Sequence, residues 1–143
     1  MARKKEPTRR FTSLLARFDK INLVHFGGHL CGGIGWRSFP LGKGKNLTLA
    51  NCTFSERLIK VNSVLDDTRV PLWYLDFVLY HEMLHLQMGP QQFSSDGYGY
   101  PHSIRFQCLE RSHADYERAL KFEESTLDEV IKSLVAWRSR KTK

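Results

Sequence analysis

Cysteine is scarce in this chain, and long apolar runs and a phosphate-binding loop are missing. Its three cysteines, Cys31, Cys52 and Cys108, are odd in number, widely spaced and contain no C-x-x-C pair. That pattern excludes a cysteine-built zinc ribbon and argues against a disulfide framework, so each is expected to be a small buried hydrophobe. No apolar run approaches the ~18–20 residues of a membrane span, and no N-terminal apolar core marks a signal peptide. No membrane partner and a cytoplasmic location are therefore expected. The glycines of "GGHLCGGIG" (27–35) and "LGKGKN" (41–46) invite a phosphate-loop reading. A Walker loop requires Gly-Lys followed by Ser or Thr, whereas here Gly42-Lys43 precedes Gly44 and Gly44-Lys45 precedes Asn46. Turns are the better account of both stretches.

What remains is an ordinary globular composition: 143 residues, 41% hydrophobic, 12% aromatic and 26% charged. A chain of this length buries roughly 68–70% of its unfolded surface and folds without a staple. The net charge of +7 is unevenly spread, with +5 on residues 1–20 and +4 on residues 138–143, which leaves −2 on 21–137. We therefore expect a basic N-terminal arm over 1–20, a single domain over 21–137 and a basic tail over 138–143. Such ends act as solvated solubilising segments, or dwell without sequence preference on nucleic acid by releasing counterions.

Strand signals dominate the first half. "INLVHF" (21–26) reads as a strand, the glycine-rich 27–35 as a turn between strands, and "LGKGKN" as a hairpin tip. "NLTLA" (46–50) and "RLIKVNSV" (57–64) mix polar and apolar residues as strands with a wet side do. Helical spacing takes over afterwards. Pro71 suits a first helical turn, Leu72–Met88 is apolar nearly all round as a central buried helix is, and Gly89-Pro90 ends it. After a loop over 91–101, residues 103–122 set Phe106, Leu109, His113, Tyr116 and Leu120 on one stripe of a helix. Thr126 and Glu129 form a capping box opening a last helix, with Leu127, Val130, Ile131, Leu134 and Val135 on its apolar face.

The decisive feature is His81-Glu82-Met83-Leu84-His85. Residues four apart on a helix project from one face, so both imidazoles reach one metal ion. Zinc takes such neutral nitrogen ligands and keeps a position open for water, whose pKa it lowers to near 7. Glu82, one step round the helix, is placed to accept that water's proton. Burying two histidines and a glutamate in an otherwise apolar helix costs several kcal/mol without partners, and ligation provides them. One zinc per chain is expected.

A catalytic zinc needs a third protein ligand. A metzincin would carry histidine at position 91 and glycine at position 88, and Gln91 and Met88 exclude that class. His102, at a helix start behind a loop, is favoured; Glu110 comes next, and Glu117 and His113 remain open. His113 otherwise reads as a packed residue or one supporting a ligand. Tyr98 and Tyr100 precede His102 and offer phenol donors to an oxyanion, although ordinary loop aromatics are the simpler account of them. His25 and His29 read as core or surface residues.

The string "VPLWYLDFVLYHEMLHLQM … GYPHSIRFQCLERSHADYERA" resembles the SprT-like zinc metallopeptidases. In that family a strand like "IKVNSVLDD" precedes the H-E-x-x-H helix, and a later H-x-x-x-F, here His102 and Phe106, opens the next helix. The resemblance covers about residues 57–122. It implies zinc on His81, His85 and His102, with Glu82 as general acid and base. It further implies an α+β, zincin-like fold, with a small mixed or antiparallel sheet packed on the motif helix and C-terminal helices after it. A substrate peptide would pair in extended form with the sheet's edge strand, for which Ile59–Ser63 is the candidate. The expected function is zinc-dependent peptide-bond hydrolysis. The alternative is a non-catalytic, zinc-stabilised module that associates with nucleic acid through the basic ends.

Overall fold

A computed structural model of the chain describes residues 10–39, 48–89 and 104–133. The described elements are α1 (Leu14–Phe26), β1 (Gly33–Arg37), β2 (Ala50–Thr53), β3 (Leu58–Asn62), α2 (Leu72–Met88), α3 (Ile104–Arg111) and α4 (Tyr116–Phe122). The class is α+β, with a mixed sheet ordered β1-β3-β2. The pair β1–β3 is parallel and the pair β2–β3 antiparallel. No helix among the described residues is long and apolar enough to cross a membrane.

The expected strand over 21–26 is instead the C-terminal half of α1. Over the longer window Leu14, Phe18, Ile21, Asn22 and Phe26 are buried, which is helical spacing, while Leu23 and Val24 are 72% and 66% exposed. The Ser13 hydroxyl accepts from the Ala16 N–H at the start of this helix, and Gly27, at φ 61°, closes it in the left-handed conformation that glycine adopts without strain. The glycine-rich stretch thus joins a helix to a strand. Buried Asn22 fixes the turn by donating to the Leu30 carbonyl and accepting the Leu30 N–H, at 2.8 and 3.0 Å.

The compositional boundary at residue 20 falls inside α1, and the chain is already anchored before it. The buried Asp66 carboxylate accepts the N–H groups of Phe11 and Thr12, both at 3.1 Å. The Arg10 guanidinium donates to the carbonyls of Asp67 and Val70. Arg17 makes a two-point pair with Asp76 of α2, at 2.5 and 2.8 Å.

Ile59 and Val61, on one face of β3, are fully buried in the core. Both flanks of β3 are paired, so Ile59–Ser63 is the middle of the sheet and not its edge. The edge strand in contact with α2 is β2. Leu72–Met88 is helical as expected, with Pro71 as the residue just before it and Gly89 capping the His85 carbonyl. Tyr74, Leu75, Leu79 and Met83 are wholly buried, so α2 is the centre of the core.

Two C-terminal expectations change. The helix expected over 103–122 breaks at 112–115, where the Asp115 N–H donates to His113 Nδ1 at 3.0 Å in place of a helical carbonyl. Leu120 of the expected stripe is 41% exposed. The Thr126 capping box opens nothing, because α4 runs on through a π-turn at Glu123–Leu127 into a helix reaching residue 133. Leu127 and Val130 are nevertheless buried, as their spacing predicts. Cys31 and Cys108 are exposed and Cys52 is half-buried, so the cysteines are not the buried hydrophobes expected.

Candidate metal centre

The face of α2 that points along the β2 edge carries Tyr74, Phe77, Val78, His81 and Glu82, spaced i, i+3, i+4, i+7 and i+8. One turn further lies His85. A ligating atom from each of His81, Glu82 and His85 falls within 4.8 Å of the others, and the two imidazole centroids are 5.0 Å apart. Helix geometry alone produces this convergence. Phe106 of α3 closes the group from the other side. It is 1% exposed, and its ring centroid lies 5.0 Å from His81 and 4.5 Å from His85. An apolar wall of that kind limits the rotamers open to both imidazoles.

Glu110, one turn beyond Phe106 on α3, accepts a hydrogen bond from His81 Nδ1. With Nδ1 so engaged, Nε2 is the nitrogen through which His81 could hold a metal, and the carboxylate orients the ring. Tyr80 ties the same helix down by donating to the Leu109 carbonyl at 3.3 Å. Burial pushes the His81 pKa down, but the bond to Glu110 and the charges of Glu110, Glu82 and Glu123 outweigh it, and the net shift is upward. Glu82 is 6% exposed, and its carboxyl is pushed up to about 7 by burial, opposed by His81 and aided by Glu110. Cys52, on β2 near Glu82, has its thiol raised to about 11 by burial and the Glu82 charge, against the pull of Arg57. At neutral pH it is a protonated thiol and a poor nucleophile.

Of the other residues singled out in the sequence, His113 stands apart from this group. It stacks on His25 at 5.4 Å and packs against Tyr80 and Phe77 at 4.8 and 5.2 Å. Glu117 is exposed on α4. His102, Tyr98 and Tyr100 lie outside the described residues, as does the 138–143 tail.

A cavity of about 300 Å³ opens beside His81 and Glu82. Thr48, Leu49 and Ala50, at the entry to β2, form one wall, and the α2 face forms the other. Glu123, at the start of the π-turn, lines it as well and accepts the Tyr74 hydroxyl at 2.8 Å. Sequence reasoning missed Glu123 and the wall at 48–50. Glu123 sits in the polar string "EES", and no local pattern distinguishes it from a solvated surface acid.

Two imidazoles with a buried carboxylate beside them, one imidazole bonded to a second carboxylate, could hold a metal ion. A scan against family models and searches of curated proteins and of solved structures find no match to this chain.

Proposed function

We propose that the chain is a zinc-dependent metallopeptidase of the SprT-like kind, with a zincin-like fold. The observation that carries this reading is the position of Glu82: a buried carboxylate beside two imidazoles on the most buried helix of the fold. A purely structural metal site has no use for a base at that point, and burying one without a task is costly.

In this reading His81 and His85 hold zinc, and His102 is the favoured third ligand. Zinc bound there would supply a Lewis acid that polarises the scissile carbonyl and acidifies water. Glu110 keeps the His81 ring oriented through Nδ1. A Glu82 carboxylate oxygen takes the proton of the attacking water and passes it to the leaving amine. One carboxylate that both accepts and returns the proton serves both transfers. The substrate lies extended along β2, the sheet edge beside α2, so that backbone hydrogen bonds give affinity and the adjoining cavity reads a side chain.

Glu82→Gln tests the mechanism. The variant should keep its zinc, measured by mass spectrometry, and lose at least about 100-fold in cleavage of an unfolded protein substrate. Cleavage at the wild-type rate would refute the role of Glu82.

A further inference from the structure

The cavity beside the metal group changes character along its length. Tyr74 and His81 are seven residues apart on α2, so about 10 Å of helix separates the two ends. The His81 end holds the reacting groups. The stretch between is apolar, with Leu49 and Ala50 facing Phe77 and Val78. At the far end stands the Glu123 carboxylate, fixed by the Tyr74 hydroxyl. No described cation pairs with Glu123; the nearby pairs are Arg118 with Asp115 and Lys132 with Asp128. The π-turn that begins at Glu123 widens the helix there, a local irregularity that recurs at functional sites.

We propose that this cavity is a specificity pocket for a lysine or arginine side chain of the substrate, with Glu123 pairing the cationic head. These side chains lay an apolar stem along apolar surface and present charge only at the tip, which matches the order of the walls. A purely aliphatic side chain would leave the carboxylate without a counter-charge, and an acidic one would meet it with like charge. Tyr74 is a positioning residue, since it acts by holding Glu123. This inference rests on the peptidase reading for its substrate class, and it adds the residue that selects among peptides.

The test uses zinc-loaded full-length protein and peptides identical except for lysine, arginine, norleucine or glutamate at one position, moved along the sequence. Wild type should favour lysine and arginine over norleucine by about five- to tenfold in kcat/KM, the size of a partly solvated charged pair. Glu123→Gln keeps an acceptor for Tyr74 and should bring that ratio to about one. Glu123→Lys should turn the preference toward glutamate. A wild type without cationic preference, or a preference that survives Glu123→Gln, overturns the proposal. Binding of the same peptides to zinc-loaded Glu82→Gln, followed by fluorescence anisotropy, separates the two readings. A Glu123-dependent cationic preference in binding, with no cleavage by wild type, supports the pocket and refutes the peptidase. Absence of that preference in binding overturns the pocket whatever the cleavage result.

Discussion

Replacing Glu110 asks whether it orients a ligand or is one. Its carboxylate accepts from His81 Nδ1, and the two side chains are only 20% and 25% exposed, so solvent screens the pair weakly. Removing a carboxylate that supports a ligating histidine costs about 10- to 100-fold in metal affinity, or about 1.4–2.8 kcal/mol. A hydrogen bond to a charged group is independently worth about 1.5–3 kcal/mol, so two lines of reasoning meet at one magnitude. Glu110→Gln keeps an acceptor without the charge and should fall at the lower end. Glu110→Ala should fall at the upper end. The assay is zinc competition against a chromophoric chelator at neutral pH, with His102→Ala and His81→Ala beside it. Each ligand-deleting variant should lose far more affinity than either Glu110 variant. Unchanged affinity in Glu110→Ala would refute the orienting role. A loss in Glu110→Ala as large as in His81→Ala, with His102→Ala near wild type, would make Glu110 the third ligand.

Two further outcomes follow from the packing. A Cβ at Gly32 would sit 2.7 Å from a Leu86 methyl and 2.9 Å from the Arg57 carbonyl, so Gly32→Ala should destabilise the fold by about 1–3 kcal/mol in urea denaturation. Stability within error of wild type would contradict that close approach. Burial and the charge of His25 depress the His113 pKa, while Asp115 and Asp76 act in the opposite sense. A depressed histidine favours the folded state above its unfolded pKa, and that contribution is lost as pH falls through the folded one. His113→Gln should therefore lose less Tm than wild type between neutral pH and about pH 5, and an equal loss would remove His113 as the cause.

The motif helix was readable because its signal is local: apolar residues on every side of Leu72–Met88, a glycine at the end and histidines four apart. The strand Leu58–Asn62 was readable for the same reason. Its place in the middle of the sheet was not, since the identity of a strand's neighbours is a long-range fact that its own alternation does not encode. The helix α1 was lost to a short window, because Ile21–Phe26 alone looks like an apolar run and only Leu14 and Phe18 reveal the period. The break at 112–115 contains neither glycine nor proline, and a histidine ring nitrogen competes there with the helix. Around the candidate metal group, His81, Glu82, His85 and Glu110 could be named from spacing and residue type. Glu123 could not, because a polar surface helix and a cavity wall look alike until the fold brings Tyr74 against it.

The fastening of Phe11 and Thr12 to Asp66 ties the front of the chain to the hinge from which the histidine helix departs. Asp66 lies six residues before Leu72, and Arg10 clasps the intervening Asp67 and Val70 carbonyls. Trimming the chain back to Ser13 would thus do more than shorten it. It would strip a buried carboxylate of two donors and unfasten the segment that sets where α2 begins. A cut far from His81 and His85 in sequence would thus reach the segment from which their helix starts.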